Sequence, residues 1–192
     1  MVRLVEERVL RQLSADDRFS GAVAEDVGSV VALTVRYVAR RLDYPANFMR
    51  ADFDEEVVLE RHLADDFEQW IASTGLHRGT VTTEVRRIAA GRADVLVAFG
   101  THRVVVELKR ELVDPSRQAL EAGYADQAAS YQATDYPFGI VLVLDLSSRQ
   151  EAAVAHLDDL VWVSKAVTPG SDRWLVWCVV PARRVSPSDL SR

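Results

Sequence analysis

The residues with the most evident chemistry lie between Arg92 and Glu111, in the stretch RADVLVAFGTHRVVVELKRE: Asp94, Glu107 and Lys109. Two carboxylates offer the hard oxygens that divalent cations take, and an ammonium beside them can stabilise developing negative charge. Spacing brings the three together. Alternating apolar and β-branched residues make both halves of the stretch strands, and Gly100-Thr101 is the Gly-X pair of a two-residue type II′ hairpin turn. Closing the hairpin there pairs Phe99 with His102 and sets Asp94 opposite Glu107, and opposite residues share a face. The period of two adds Lys109 to that face and turns Val95, Val97, Val104, Val106 and Leu108 the other way, into a core.

The flanking elements must hold this hairpin. A strand from about Thr80 to Ile88 precedes it, joined by Ala89-Ala90-Gly91, a three-residue loop whose last residue is left-handed. That loop pairs Arg86 with Asp94 and puts Glu84 on the same face, which offers Glu84 as a further acid and Arg86 as a base beside the site. Upstream, Asp52 and Glu55 are spaced as a capping box and Gly75 as a terminator, so a helix is expected over about residues 53–73. Its apolar stripe is Leu59, Leu63, Phe67, Trp70 and Ile71, and both Glu56 and Glu60 fall within it. Carboxylates on such a stripe ask for a partner. Downstream, Asp114-Pro115 opens a helix to about Ala133, ended by Pro137, with an inward stripe of Leu120, Tyr124, Gln127, Ala128 and Tyr131. A continuous apolar strand over Phe138 to Leu144, a helix near Gln150 to His156, and a hairpin of about Val161–Val167 with Trp174–Val180 complete the scaffold.

Asp94 on one strand and Glu107-Leu108-Lys109 on the next resemble the PD-(D/E)XK nuclease superfamily, with Ala93 where a proline often precedes the aspartate. The order helix, three strands, helix, strand over about Glu56 to Asp145 is similar to the superfamily core. The resemblance implies an α/β fold, a restriction-endonuclease-like core with a central mixed sheet flanked by helices. It implies a Mg²⁺- or Mn²⁺-dependent phosphodiesterase in which Asp94, Glu107 and the Leu108 carbonyl ligate the metal and Lys109 orients water or stabilises the pentavalent state. A glutamate of the first core helix often completes such sites; Glu60-Arg61, followed by Leu63, looks like the start of archaeal Holliday-junction resolvases, so the role passes to Glu60 with Glu56 as runner-up. QAASY matches the Gln-x-x-x-Tyr pattern of RecB-like members, which assigns Gln127 and Tyr131 to holding the site and the nucleic-acid backbone.

Composition frames these expectations. The 192 residues carry a net charge of -6, against bulk coating of nucleic acid, yet seven bases face four acids between Arg86 and Arg117. Arg86, Arg92 and Arg110 in that basic zone are the expected phosphate contacts. Arginine outnumbers lysine 21 to 2, and one of the two lysines fills the Glu-x-Lys slot. With one cysteine, Cys178, no intramolecular disulfide forms, and four scattered histidines have no zinc-ligand spacing. No phosphate-binding Gly-rich loop and no serine nucleophile elbow appears. Without a signal-peptide pattern or a membrane-length apolar run, a cytoplasmic location away from membranes is expected. Residues 1–50 read as a helical extension, with Val5, Val9 and Leu13 and then Val27, Val30, Val31, Val35 and Val38 at helical spacing, and residues 51–192 as the nuclease-like domain. Those helices pack on the domain, on a second copy or on a partner subunit. DNA is the expected substrate and RNA the alternative; the competing expectation is a nuclease-like module that binds DNA or an assembly without cutting it.

Overall fold

Apolar residues recurring every three or four positions bury one stripe of each N-terminal helix. In the computed structural model, which describes residues 1–44, 46, 58–74, 83–88, 92–100, 102–131, 137–147, 156–168 and 171–182, α1 spans Val2–Leu13 and buries Val5, Val9 and Leu13. Helix α2 spans Gly21–Asp43 and buries Val27, Val30, Val31, Val35 and Val38. Both stripes join the core that also holds the sheet residues, so these helices pack on the domain itself. No helix among the described residues is long and apolar enough to cross a membrane.

Helix α3, Glu60–Thr74, begins later than the expected residue 53: Val58 and Leu59 are not helical. The cause is local. His62 Nδ1 accepts the Leu59 N–H at 3.0 Å while the His62 N–H donates to the Leu59 carbonyl at 2.9 Å, a reciprocal arrangement that starts the helix at Glu60. Asp52, Glu55 and Gly75 lie outside the described residues. Strands β1 (Thr83–Ile88), β2 (Arg92–Phe99) and β3 (His102–Glu111) follow. Phe99 pairs with His102, and Arg86 with Asp94, as the turns require. Gly100 has φ +57°, a conformation that strains any side chain larger than hydrogen and fixes the hairpin there.

Helix α4 runs Arg117–Tyr131. Ser116, not Asp114, caps it: Ser116 Oγ accepts the Ala119 N–H, while Asp114 Oδ1 accepts the Ser116 N–H at 2.9 Å. Strand β4, Phe138–Asp145, is buried at every position, as a strand covered on both faces must be. The expected helix near Gln150 to His156 meets a different outcome at its end. His156 is extended and a single turn, α5 (Leu157–Leu160), follows it, with Asp158 and Asp159 in its first turn and Val161 starting the next strand. Residues 148–155 lie outside the described ones. Strands β5 (Val161–Thr168) and β6 (Ser171–Pro181) are the last described elements.

The result is a six-stranded mixed sheet in the order β1-β2-β3-β4-β6-β5. β3, β4 and β6 run parallel, and β1, β2 and β5 antiparallel to their neighbours. Helix α3 packs on β2 and β3, α2 on β6, and α4 on β4, β5 and β6.

A polar clasp sets the seat of α3. Asp66 takes a fork from Arg41, at 2.7 Å from Nε and 2.5 Å from Nη2, and the Tyr37 hydroxyl donates to it at 2.6 Å. The Tyr37 ring packs edge-on against Phe67, centroids 5.0 Å apart. Burial, with the Asp66 charge, pushes the Tyr37 hydroxyl far above its ordinary pKa, so it remains a donor. The middle of α3 is thus tied to α2, and its first turn carries Glu60 toward β3.

Candidate active site

Strand β3 alternates as its sequence dictates. Val104, Val106 and Leu108 are fully buried on one pleat, and Glu107 (1% exposed) and Lys109 (4%) are buried on the other. The Lys109 ammonium donates to Glu107 Oε1. Glu107 Oε2 is buried and has no hydrogen-bond partner among the described residues. Bringing two charges out of water costs several kcal/mol per ion, and a buried pair rarely stabilises a fold better than apolar residues would. A pair with one carboxylate oxygen left unmet is poorly explained by stability alone.

Glu60 joins this pair from the first turn of α3, where negative charge also favours the helix N-terminus. Burial raises its pKa above the ordinary glutamate value, and the Glu107 charge adds to that. The Lys109 charge, the Arg110 backbone N–H that donates to Glu60, and the Arg110 charge oppose it. Residues 60, 107 and 109, from a helix start and a mid-chain strand, therefore act on one another electrostatically.

Two members of this cluster were not among the expected site residues. Glu111 follows Lys109 by two positions, so the strand period puts it on the same pleat. Its Oε1 accepts the N–H groups of Val113 (2.7 Å) and Asp114 (3.1 Å), and its Oε2 accepts the Tyr124 hydroxyl at 3.1 Å. The Tyr124 ring centroid lies 5.8 Å from Lys109 Nζ. Burial, then the Glu111 charge and hydrogen bond and the Glu60 charge, push the Tyr124 hydroxyl up to about 12. Period-two counting from Lys109 finds Glu111; Tyr124 was legible only as a member of the α4 stripe.

The other expected residues divide by what the structure describes. The β2–β3 ladder runs from Phe99↔His102 to Val95↔Val106, so one further step sets the Asp94 backbone opposite Glu107. The side chains of Asp94, Arg86, Arg92, Glu84 and Tyr131, and the whole of Glu56, lie outside the described residues. Leu108 sits between Glu107 and Lys109 with its side chain in the core. Gln127 is half-buried on α4, one turn beyond Tyr124. Arg110, expected on phosphate, donates from Nη1 to the Val58 carbonyl at 2.8 Å and so pins the chain just ahead of α3.

The donor set fits a hard divalent cation. Among the described side chains it offers the Glu107 oxygen that Lys109 does not take and the Glu60 carboxylate. Among the described residues no three His, Cys, Asp or Glu side chains stand together as a ligand group, and both Glu111 oxygens already accept hydrogen bonds, so Glu60 and Glu107 are its described carboxylates. Compared with protein-family models, curated proteins and solved structures, the chain has no match.

Proposed function

We propose that this protein is a Mg²⁺- or Mn²⁺-dependent nuclease with a restriction-endonuclease-like core, hydrolysing phosphodiester bonds of DNA in the cytoplasm in defence or repair. The observation that carries the reading is the meeting of Glu60 with the buried Glu107–Lys109 pair, whose second carboxylate oxygen has no partner among the described residues. Asp94, Glu107, the Leu108 carbonyl and Glu60 would hold the metal, which when bound lowers the pKa of water and offsets phosphate charge. The chain's own residues supply the rest. Lys109, held against Glu107 in a site shielded from water, keeps a positive charge where the phosphate's negative charge grows. Glu60, in the first turn of α3, would ligate a second ion or a metal-bound water from the helix side of the site. Gln127 and Tyr131 on α4, with Arg86 and Arg92 on β1 and β2, would hold the nucleic-acid backbone across the sheet end.

The test is incubation of the protein with supercoiled, linear and single-stranded DNA and with RNA, each with Mg²⁺, with Mn²⁺ and with a chelator, beside Lys109→Ala. The expected result is cleavage that the chelator abolishes and that the variant loses by about 10²-fold or more. Cleavage equal in wild type and variant, or none on any substrate, would end the reading. DNA binding without cleavage would assign the chain to the non-cutting modules.

A further inference from the structure

Lys109 must hold a fixed direction, yet its only hydrogen bond to a charged partner among the described residues goes to Glu107, an oxygen donor that the nuclease reading shares with a metal. A lysine side chain ends a flexible four-carbon stem and carries about 2 kcal/mol of rotamer entropy. Something else must steady it. The Tyr124 ring stands 5.8 Å from Lys109 Nζ, within the range at which an aromatic face attracts a cation. The ring does not depend on Lys109 for its own place. Its hydroxyl donates to Glu111 Oε2 at 3.1 Å, and Glu111 is itself fixed by the backbone N–H groups of Val113 and Asp114 and by β3.

We propose that Tyr124 is a positioning residue for Lys109: its ring face holds the ammonium beside Glu107. The choice of a ring over a second carboxylate has a physical consequence. An aromatic face attracts the ammonium without cancelling its charge, so the lysine stays a full cation toward the phosphate while its stem is steadied. The effect on rate rests on the nuclease reading; the positioning does not.

The chain has two lysines, so protein labelled with ¹³C in lysine gives two side-chain signals. Lys165, paired with Asp172 at 2.5 Å and lying over the Trp174 ring, serves as the internal reference. In the metal-free protein the Lys109 ε-methylene protons should be shifted upfield by the ring. The shift should persist in Tyr124→Phe and collapse toward the free-lysine position in Tyr124→Leu, with Lys165 unmoved. In the cleavage assay kcat should fall about tenfold in Tyr124→Leu at unchanged KM, and stay within about twofold of wild type in Tyr124→Phe. Should Tyr124→Leu fail to fold by circular dichroism, Tyr124→Met, of similar helix propensity, takes its place. A Lys109 signal that does not move in the aliphatic variant, or that Tyr124→Phe disturbs as much, overturns the proposal. A wild type that cuts nothing while the Lys109 signal still collapses in Tyr124→Leu would end the nuclease reading and leave the positioning standing.

Discussion

Replacing the buried pair by methionines, singly and together, separates a site built for chemistry from one built for stability. The side chains of Glu107 and Lys109 are 2% and 5% exposed, so neither can turn to water when its partner is lost. Lys109→Met leaves a buried carboxylate with neither oxygen paired among the described residues and Glu60 as a like charge nearby, and its cost belongs at the upper end of about 3–5 kcal/mol for breaking a buried pair. Glu107→Met leaves the ammonium facing Glu60, an opposite charge, and its cost belongs at the lower end, about 3 kcal/mol. The double variant removes both desolvated charges at nearly constant volume. It should be as stable as wild type or more stable by about 1–4 kcal/mol. Urea unfolding at neutral pH with chelator present reads all four proteins, and in heating each kcal/mol moves Tm by about 2–4 °C at this chain length. A double variant destabilised by the sum of the two single losses would refute the reasoning, because the pair would then be stabilising in its own right.

Three further outcomes follow from the same geometry. The Glu60 pKa is raised in the folded state, chiefly by burial, so the metal-free fold holds that proton more tightly than the unfolded chain; its contribution is full below the ordinary glutamate value of 4.5 and is lost as pH rises through the raised value. Glu60→Gln should therefore lose less stability than wild type across that window in pH-resolved urea melts, and an unchanged slope would remove Glu60 from the buried cluster. Tyr37→Phe deletes the donor to Asp66 and should cost about 2 kcal/mol, a hydrogen bond to a charged group, while Arg41 keeps its fork; no change in urea midpoint would show that the clasp does not seat α3. Mn²⁺ at a hundredfold its dissociation constant should stabilise wild type by about 2.7 kcal/mol in thermal melts. Metal-free Asp94→Asn should be at least as stable as wild type and scarcely respond to Mn²⁺; a variant that melts lower yet still gains from the ion would make Asp94 a structural partner of Arg86.

What could be read from residue order was whatever local geometry decides. Gly100, with its positive φ, pins Phe99 against His102, so the β2–β3 register follows from turn chemistry, and Arg86 pairs with Asp94 as the spacing of the two strands implied. The unbroken apolar run of β4 announced a central strand. Glu60 was recoverable because a carboxylate on an apolar stripe needs a partner, and the structure supplies Lys109 and Arg110. Long-range placement was not recoverable. That β6 enters between β4 and β5 depends on which strand edge remains free after folding, not on any local period. The helix start at Glu60 depends on a histidine acting as a cap acceptor, a role outside the Ser, Thr, Asp and Asn pattern. Tyr124 meets Lys109 only after α4 has folded onto the sheet, and its position on an apolar stripe reads the same for a core tyrosine.

Single-turnover cleavage of an end-labelled DNA duplex in Mn²⁺, by wild type and by Glu107→Gln, tests the central claim most directly. The amide keeps the shape and one acceptor for Lys109 but removes the carboxylate charge that a divalent ion needs. The account predicts metal-dependent cleavage by wild type and a rate lower by about 10²-fold or more in the variant. A variant that cleaves as fast as wild type, or a wild type whose cleavage survives chelation, would contradict it.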